Sequence, residues 1–402
     1  MKAKKLMSNI VLIGLVSFFI DMSNEMVYPI LPLFLTTTLG ATPAIVGIIE
    51  GIAESVASLL KVFSGYIGDA YRKKKHLTFI GYSASVVYKI LLFLASSWAG
   101  VLLARIVDRT GKGIRTAPRD ALVAESSPAG QLGGSFGLHK MFDMAGSSIG
   151  ALLAFLFIST SLSYHAVFLW AIIPTVIGVM LIPLIREKRN SLPCGEKLTF
   201  RGLKLSGKTK MYFAVIFLFC LGNSSNVFLL LKANTLGFST SQVMLLYLIF
   251  NISTSVLAIP SGKLSDRFGR KAILVPGYLI YGLVYIGFAW LTAKYSIVLL
   301  FIAYGAYTAC ISGAERAFIA ETSPAGYKGT VLGIYGMLQG IGLLFASIIA
   351  GALWDNVNSD APFMFGGILG LVSAVAIAIL LGSSKFRKPT EPPADPVCPT
   401  FD

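Results

Sequence analysis

Asp21, Glu25, Tyr28 and Pro32 recur at i, i+4, i+7 and i+11 within an otherwise apolar run, which puts them on one helical stripe with Asn24 alongside. Arg105, Asp108, Arg109, Lys112, Arg115 and Arg119 follow at i, i+3, i+4, i+7, i+10 and i+14 and make a cationic ladder on one face. His139, Asp143, Gly146 and Gly150 form a third stripe, where ionisable groups share a face with glycines that let another helix approach. An acidic stripe beside an arginine ladder can exchange protons. Desolvation favours the neutral carboxyl and a nearby guanidinium favours the carboxylate, so a small rearrangement switches one into the other. Asp21 is the expected coupling carboxylate, with Glu25 and Asp143 in support and Arg105 or Arg109 as the charge that competes with the proton. A static salt bridge between the two helices is the alternative. His139 is expected to hydrogen-bond near the end of its helix, and one histidine among dispersed carboxylates does not make a metal site.

The elements that carry these stripes must lie in lipid. The chain has 402 residues, 55% hydrophobic and 13% charged, with a mean hydropathy of +0.74, whereas soluble proteins carry roughly 25% charged residues. Each helical crossing needs about 20 mostly apolar residues. Hydropathy places spans near 9–35, 44–68, 76–97, 98–122, 131–158 and 164–185, then 211–233, 240–264, 272–293, 295–318, 330–353 and 361–383. Six fall on each side of a basic break. The expected domains are therefore an N-terminal bundle over 1–185, a cytoplasmic linker over 186–210, a C-terminal bundle over 211–383 and a Pro-rich, disordered tail over 384–402.

Charge sets the orientation. The net charge is +15, and Lys and Arg concentrate in one set of loops: Arg72 to Lys75, Arg267, Arg270, Lys271 and Lys328, with the linker and both termini. The opposite loops offer Lys232 and Lys294. Short basic loops stay on the cytoplasmic side, so both termini are expected in the cytoplasm and the chain in the cell (inner) membrane, with lipid rather than nucleic acid as its charged partner. Cys194, Cys220, Cys310 and Cys398 are isolated, and neither a Ser-His-Asp arrangement, a Walker loop nor a metalloprotease helix occurs. Neither an enzyme nor a cofactor is indicated.

The chain also repeats itself. Arg119-Asp120-Ala-Leu-Val-Ala-Glu125-Ser-Ser-Pro-Ala-Gly130 returns as Glu315-Arg316-Ala-Phe-Ile-Ala-Glu321-Thr-Ser-Pro-Ala-Gly326. Gly65-Tyr-Ile-Gly-Asp69 likewise returns as Gly262-Lys-Leu-Ser-Asp266, at nearly the same offset. Two matches after corresponding spans mean two six-helix bundles related by duplication, with a binding site between them near the bilayer midplane.

At these residues the sequence resembles the major facilitator superfamily over nearly its whole length. Gly262-Lys-Leu-Ser-Asp266-Arg267-Phe-Gly269-Arg270-Lys271 is similar to its loop signature G-x-x-x-D-R-x-G-R-K, and Gly65 and Asp69 keep a degraded copy. Leu103-Ala104-Arg105 resembles its membrane-buried arginine motif, and the string from Asp108 to Asp120 resembles an efflux-like bacterial and archaeal branch. The resemblance implies an all-α membrane protein with 12 transmembrane helices in two pseudo-symmetric bundles, and alternating access between them. Gly65, Asp69, Gly262, Asp266, Arg267, Gly269 and Arg270 are the expected gate, in which Asp69 faces the N-terminus of a helix of its own bundle and a loop arginine. Asn24, Tyr28, Arg105, Asp108, Arg109 and His139, with Asn223, Asn226, Tyr278, Tyr304 and Gln339 of the second half, are expected to line the substrate cavity. The expected function is proton-coupled export of a small anionic or zwitterionic organic solute by a monomer. Proton-coupled uptake and uncoupled facilitation are the alternatives, with divalent-metal transport behind them.

Overall fold

The computed structural model describes residues 2–31, 34–41, 43–70, 73–160, 162–187, 203, 205–324 and 326–382. Pro32, Arg72, most of the linker (188–202 and 204) and the tail from 383 lie outside the described residues. Among the described residues the chain is helical without strands: α1 Lys2–Val27, α2 Pro43–Ala70, α3 Lys74–Leu94, α4 Trp98–Ser126, α5 Leu132–Ser159, α6 Tyr164–Leu181, α7 Gly207–Gly222, α8 Asn226–Thr235, α9 Thr240–Phe268, α10 Lys271–Trp290, α11 Lys294–Thr322, α12 Lys328–Asn356 and α13 Ala361–Gly382. Side chains start several of them. The hydroxyls of Ser97, Ser163 and Ser206 accept from Gly100, Ala166 and Thr209 N–H, and Ser239 with Gln242 closes a capping box on α9.

Nine of these helices are long and apolar enough to cross a membrane. α2 and α4, with 28 and 29 residues, have the length but carry several charged residues, Glu50, Glu54 and Lys61 in α2 and the cationic ladder in α4. The remaining crossing is split. A continuous span over 211–233 was expected, yet α7 stops at Gly222 and α8 starts at Asn226. Asn223, Ser224 and Ser225 compete with the helix for backbone hydrogen bonds, and the groups freed there find partners: Tyr281 O–H donates to the Gly222 carbonyl at 2.7 Å, and Ser225 N–H to Ser347 Oγ at 3.4 Å. The first crossing also ends early. α1 stops at Val27, before Tyr28, and a separate π turn covers Phe34–Thr38.

α1 packs on α5 and α6, α3 on α4 and α2 on α4; in the second half α10 packs on α13 and α11, and α7 on α12 and α13. The halves meet through α5 against α9 and α2 against α12. These pairs exchange under the sequence repeat, so the interface is pseudo-symmetric. Small residues make it close: a Cβ on Gly65 would overlap the Gly329 carbonyl, one on Gly262 the Gly133 carbonyl, and one on Gly137 the Ala258 carbonyl. All three lie near the end of the molecule that carries the basic loops, called the basic end below. Gly269, at φ 89°, makes the tight α9–α10 corner that a side chain would strain.

Gly65→Val and Gly262→Val should force the basic end apart at a cost of about 1–3 kcal/mol each, as overpacking does. Spin-label distances between the basic ends of α2 and α12 would lengthen in Gly65→Val, and those between α5 and α9 in Gly262→Val. Distributions unchanged from wild type would show that the interface is not closed there.

Candidate functional site

At the basic end, two carboxylates cross the interface. Asp266, at the end of α9, accepts from Gly133 N–H at 2.8 Å and Gly134 N–H at 2.6 Å, the first turn of α5. Asp69, at the end of α2, accepts from Thr330 N–H at 2.6 Å and its hydroxyl at 2.9 Å, the first turn of α12. Helix N-termini hold unsatisfied N–H donors and a positive dipole end, so each carboxylate is charge-complemented by the opposite bundle. This corrects the expectation that Asp69 faces a helix of its own bundle.

Each carboxylate also holds a cation that reaches a second acid. Arg270 lies 2.8 Å from Asp266 Oδ1 and 2.5 Å from Glu321 Oε1. Lys74 takes the matching place, 3.1 Å from Asp69 Oδ1 and 2.8 Å from Glu125 Oε1. Glu125 and Glu321 are the acids at matching positions of the repeated segment, so the repeat carried the signal for both even though neither was assigned to the gate. Burial works against the Arg270 charge, but Glu321 and Asp266 outweigh it and hold the guanidinium above its ordinary range. Arg267 is not brought to this lock; it is exposed and its guanidinium lies over the Phe268 ring.

Deeper, α1, α2, α4 and α5 bring most of the expected charges together. Gly146 and Gly150 of α5 sit against the Phe18 and Met22 carbonyls of α1, the close approach expected of the glycine stripe. That packing brings Asp21 within electrostatic reach of Asp143, Arg119, Arg115 and Lys140, and Glu25 within reach of Asp21, Lys112 and Arg109. Asn24 accepts from Lys89 Nζ at 2.6 Å, a fully buried lysine that the sequence reading did not assign to the site. His139 is wholly buried, with Nε2 3.0 Å from Ser17 Oγ and Nδ1 3.6 Å from Asp143.

The arginines expected to compete with the proton at Asp21 have other carboxylates. Arg105 lies 3.7 Å from Asp108, and Arg109 lies 3.5 Å from Glu54 and 3.9 Å from Asp108. Lys112 also faces Glu54, at 3.9 Å, and their side chains are 37% and 33% exposed. Charged groups in the middle of spanning helices are stable where they meet water, not lipid. Lys112 and Glu54 therefore mark the wet side of the N-terminal bundle.

The second bundle is tyrosine-rich and tightly closed. Tyr278 and Tyr304 are at most 4% exposed and hydrogen-bonded within the bundle, Tyr278 to Glu315 and Tyr304 to Asn226 Oδ1 at 2.9 Å. The Phe219 ring packs on Tyr278, and those of Tyr281, Tyr285 and Tyr307 on Tyr304. Both tyrosines are thus core groups in this conformation, in place of the cavity role expected for them. Asn223, Asn226 and Gln339 stay half-buried, with Asn223 3.3 Å from Tyr307 Oη and Gln339 2.6 Å from Tyr335 Oη. Tyr28, beyond the end of α1, is 47% exposed.

Two pseudo-symmetric helical bundles that close on each other at one end, around charges no lipid-facing surface would keep, define a membrane transporter. Comparison with known proteins agrees. The Major Facilitator Superfamily model matches residues 13–201 and 211–397. An uncharacterized MFS-type transporter of Methanocaldococcus jannaschii is 37% identical over 387 residues, 94% of this chain and 96% of that one. The quinolone resistance protein NorA of Staphylococcus aureus is 26% identical over 151 residues, 37% of this chain and 38% of its own. Among solved structures, the human organic anion transporter MFSD10 (TETRAN) shares the fold with a TM-score of 0.76 at 14% identity, covering 92% of this chain and 98% of that one. The chain belongs to the Major Facilitator Superfamily, whose members are transporters rather than enzymes.

Asp266→Ala removes the acceptor of two backbone N–H groups and of Arg270, and buried donors left without partners cost about 1–3 kcal/mol. A cysteine introduced at the buried Ser135 position should then react with a water-soluble maleimide at least several-fold faster than in the Asp266 parent. Equal rates would mean that the lock does not hold this end closed.

Proposed function

We propose that this protein is a proton-coupled secondary transporter that exports a small organic solute bearing a carboxylate or phosphate, by rocking one bundle against the other. The observation that carries coupling is the placement of Asp21 and Asp143 on packed faces of α1 and α5, where both draw on the same cations, Arg119 and Lys140. Two carboxylates so placed hold one proton more readily than two negative charges. Movement of a neighbouring cation then decides whether the proton stays. Exchange between the two sides of the membrane follows if that movement accompanies bundle rotation.

The basic loops favour a cytoplasmic location for the basic end under the positive-inside rule, with both termini there and the protein in the cell membrane. The conformation described is then closed to the cytoplasm. Export is supported by the partial likeness to NorA, a quinolone resistance protein. The solute's charge is argued from α4, where Arg105, Arg109, Lys112 and Arg115 outnumber Asp108, since a low-dielectric cleft with surplus cations gathers anions. Lys112, the most exposed of them, is the first contact for an entering anion, with Arg109 beside it. Arg105, 4% exposed and paired with Asp108, stands behind and orients that pair.

Asp21→Asn should abolish uptake driven by an imposed pH gradient in proteoliposomes, while solute exchange without net proton movement partly survives. Full proton-driven activity in that variant would sink the coupling assignment. A thermal-shift screen of mono- and dicarboxylates and organic phosphates supplies the solute. Lys112→Ala should weaken its binding by at least about tenfold, or ~1.4 kcal/mol. A hydrophobic cation emerging as the ligand, bound equally by Lys112→Ala, would overturn the anion assignment.

A further inference from the structure

The two halves carry the same dipeptide position with its charges exchanged: Arg119-Asp120 in α4 and Glu315-Arg316 in α11. Asp120 and Arg316 are repeat equivalents, and they pair with one another across the interface, Arg316 Nε 3.4 Å from Asp120 Oδ2. Equivalent positions in contact must lie beside the pseudo-two-fold axis. The other oxygen of Asp120 is held within its own helix by Arg119, 2.9 Å away. Asp120 thus carries one cation from each bundle.

Glu315 is 1% exposed and has no part in the gate or in the Asp21 cluster. Its Oε1 accepts from the Tyr278 hydroxyl of α10 and its Oε2 from the Tyr335 hydroxyl of α12. Tyr212 and Cys220 of α7, and Tyr307 and Arg316 of α11, are the other ionisable groups acting on it. Among these described groups Arg316 alone is a cation, and its guanidinium is drawn to Asp120. Around Arg316 stand Lys61 of α2 and His139, Lys140 and Asp143 of α5. The carboxylate is therefore held by phenols, either of which can turn from donor to acceptor when an oxygen takes a proton.

Opening the basic end pulls α11 from α4 and breaks the Asp120–Arg316 pair. Asp120 keeps Arg119. Arg316 is left with Glu315, its neighbour on the same helix, and α4 demonstrates that adjacent residues at this position can pair, since Arg119 and Asp120 do so. We propose that Glu315 is a proton-binding site of the second bundle, filled while Asp120 holds Arg316 and emptied when bundle separation returns Arg316 to Glu315. The site rests on the reading of the protein as a proton-coupled transporter and gives the cycle a second proton, bound remote from the solute's cationic face.

The site is tested without a solute, by pH-difference infrared spectroscopy of the full-length protein in lipid. Wild type should gain a protonated-carboxyl carbonyl band on acidification; Glu315→Gln should lose one component of it, and Glu315→Asp should keep that component at a shifted frequency. Identical spectra for wild type and Glu315→Gln overturn the proton site. If Glu315→Gln does not fold, Tyr335→Phe must shift the same component, and no shift overturns the proposal equally. Asp120→Asn releases Arg316 and should move the midpoint of the Glu315 component toward acid by about one pH unit or more, the effect of a new adjacent cation; an unmoved midpoint overturns the exchange. The Asp21→Asn protein separates the two readings. If it still transports with protons while the Glu315 component persists, coupling through Asp21 fails and the second site stands.

Discussion

The capture of a carboxylate by a helix N-terminus across the bundle interface is the interaction on which the described conformation depends. A helix end in a membrane protein leaves N–H groups that need acceptors, and Asp69 and Asp266 supply them from the opposite half. Water could satisfy the same groups, so the bond is reversible in a way that a packed apolar interface is not. The glycines at 65, 262, 329 and 133 are its geometric condition, because they bring the backbones close enough for a short aspartate to reach. Lys74 and Arg270 then tie each aspartate to the helix that follows the loop, so that release at one point loosens the whole corner.

The cost of charge in lipid bears on why the halves differ despite their pseudo-symmetry. The N-terminal half keeps its ionisable groups in mutually satisfied clusters, Arg105 with Asp108, Arg109 and Lys112 with Glu54, and Arg119 with Asp120. The C-terminal half solves the same packing problem with neutral phenols that donate to backbone or amide oxygens, as Tyr281 does to Gly222 and Tyr304 to Asn226. Ring stacking among Tyr281, Tyr285, Tyr304 and Tyr307 adds rigidity. The phenol packing thus makes the C-terminal half rigid, whereas the N-terminal half holds most of its charge in ion pairs between helices.

What was legible in the sequence was whatever is periodic or repeated. The stripes of α1, α4 and α5 were visible because helical spacing is fixed by geometry, and the two interface aspartates because Gly65–Asp69 and Gly262–Asp266 match at nearly the offset of the longer repeat. Partner identity was not legible. Nothing in Gly65 to Asp69 says that the helix it caps is α12 rather than one of its own bundle, since that depends on how far the halves have rotated. The break at Asn223 to Ser225 was missed because hydropathy averages over a window wider than the three residues that end α7. The burial of Tyr278 and Tyr304 in this conformation was not legible for a third reason: a phenol reads the same in sequence whether it faces solute or donates to a buried neighbour.

The pseudo-symmetry constrains how the locks can open. Asp69 on α12 and Asp266 on α5 are related by the repeat, so a separation of the halves that keeps the pseudo-symmetry strains both equally. A single lock would leave a hinge at its own corner, allowing the bundles to splay like a book and expose backbone to lipid. Two related locks instead require the halves to separate together at this end. The glycine contacts between bundles, Gly65 on Gly329, Gly333 on Lys61 and Gly137 on Ala258, follow α2, α5, α9 and α12 inward from the same end. Rotation that opens them drives the opposite ends of the same rigid helices toward one another. Under the proposed rocking of the bundles, closure at one end and access at the other are one movement, and the two aspartate caps are contacts that must break for it.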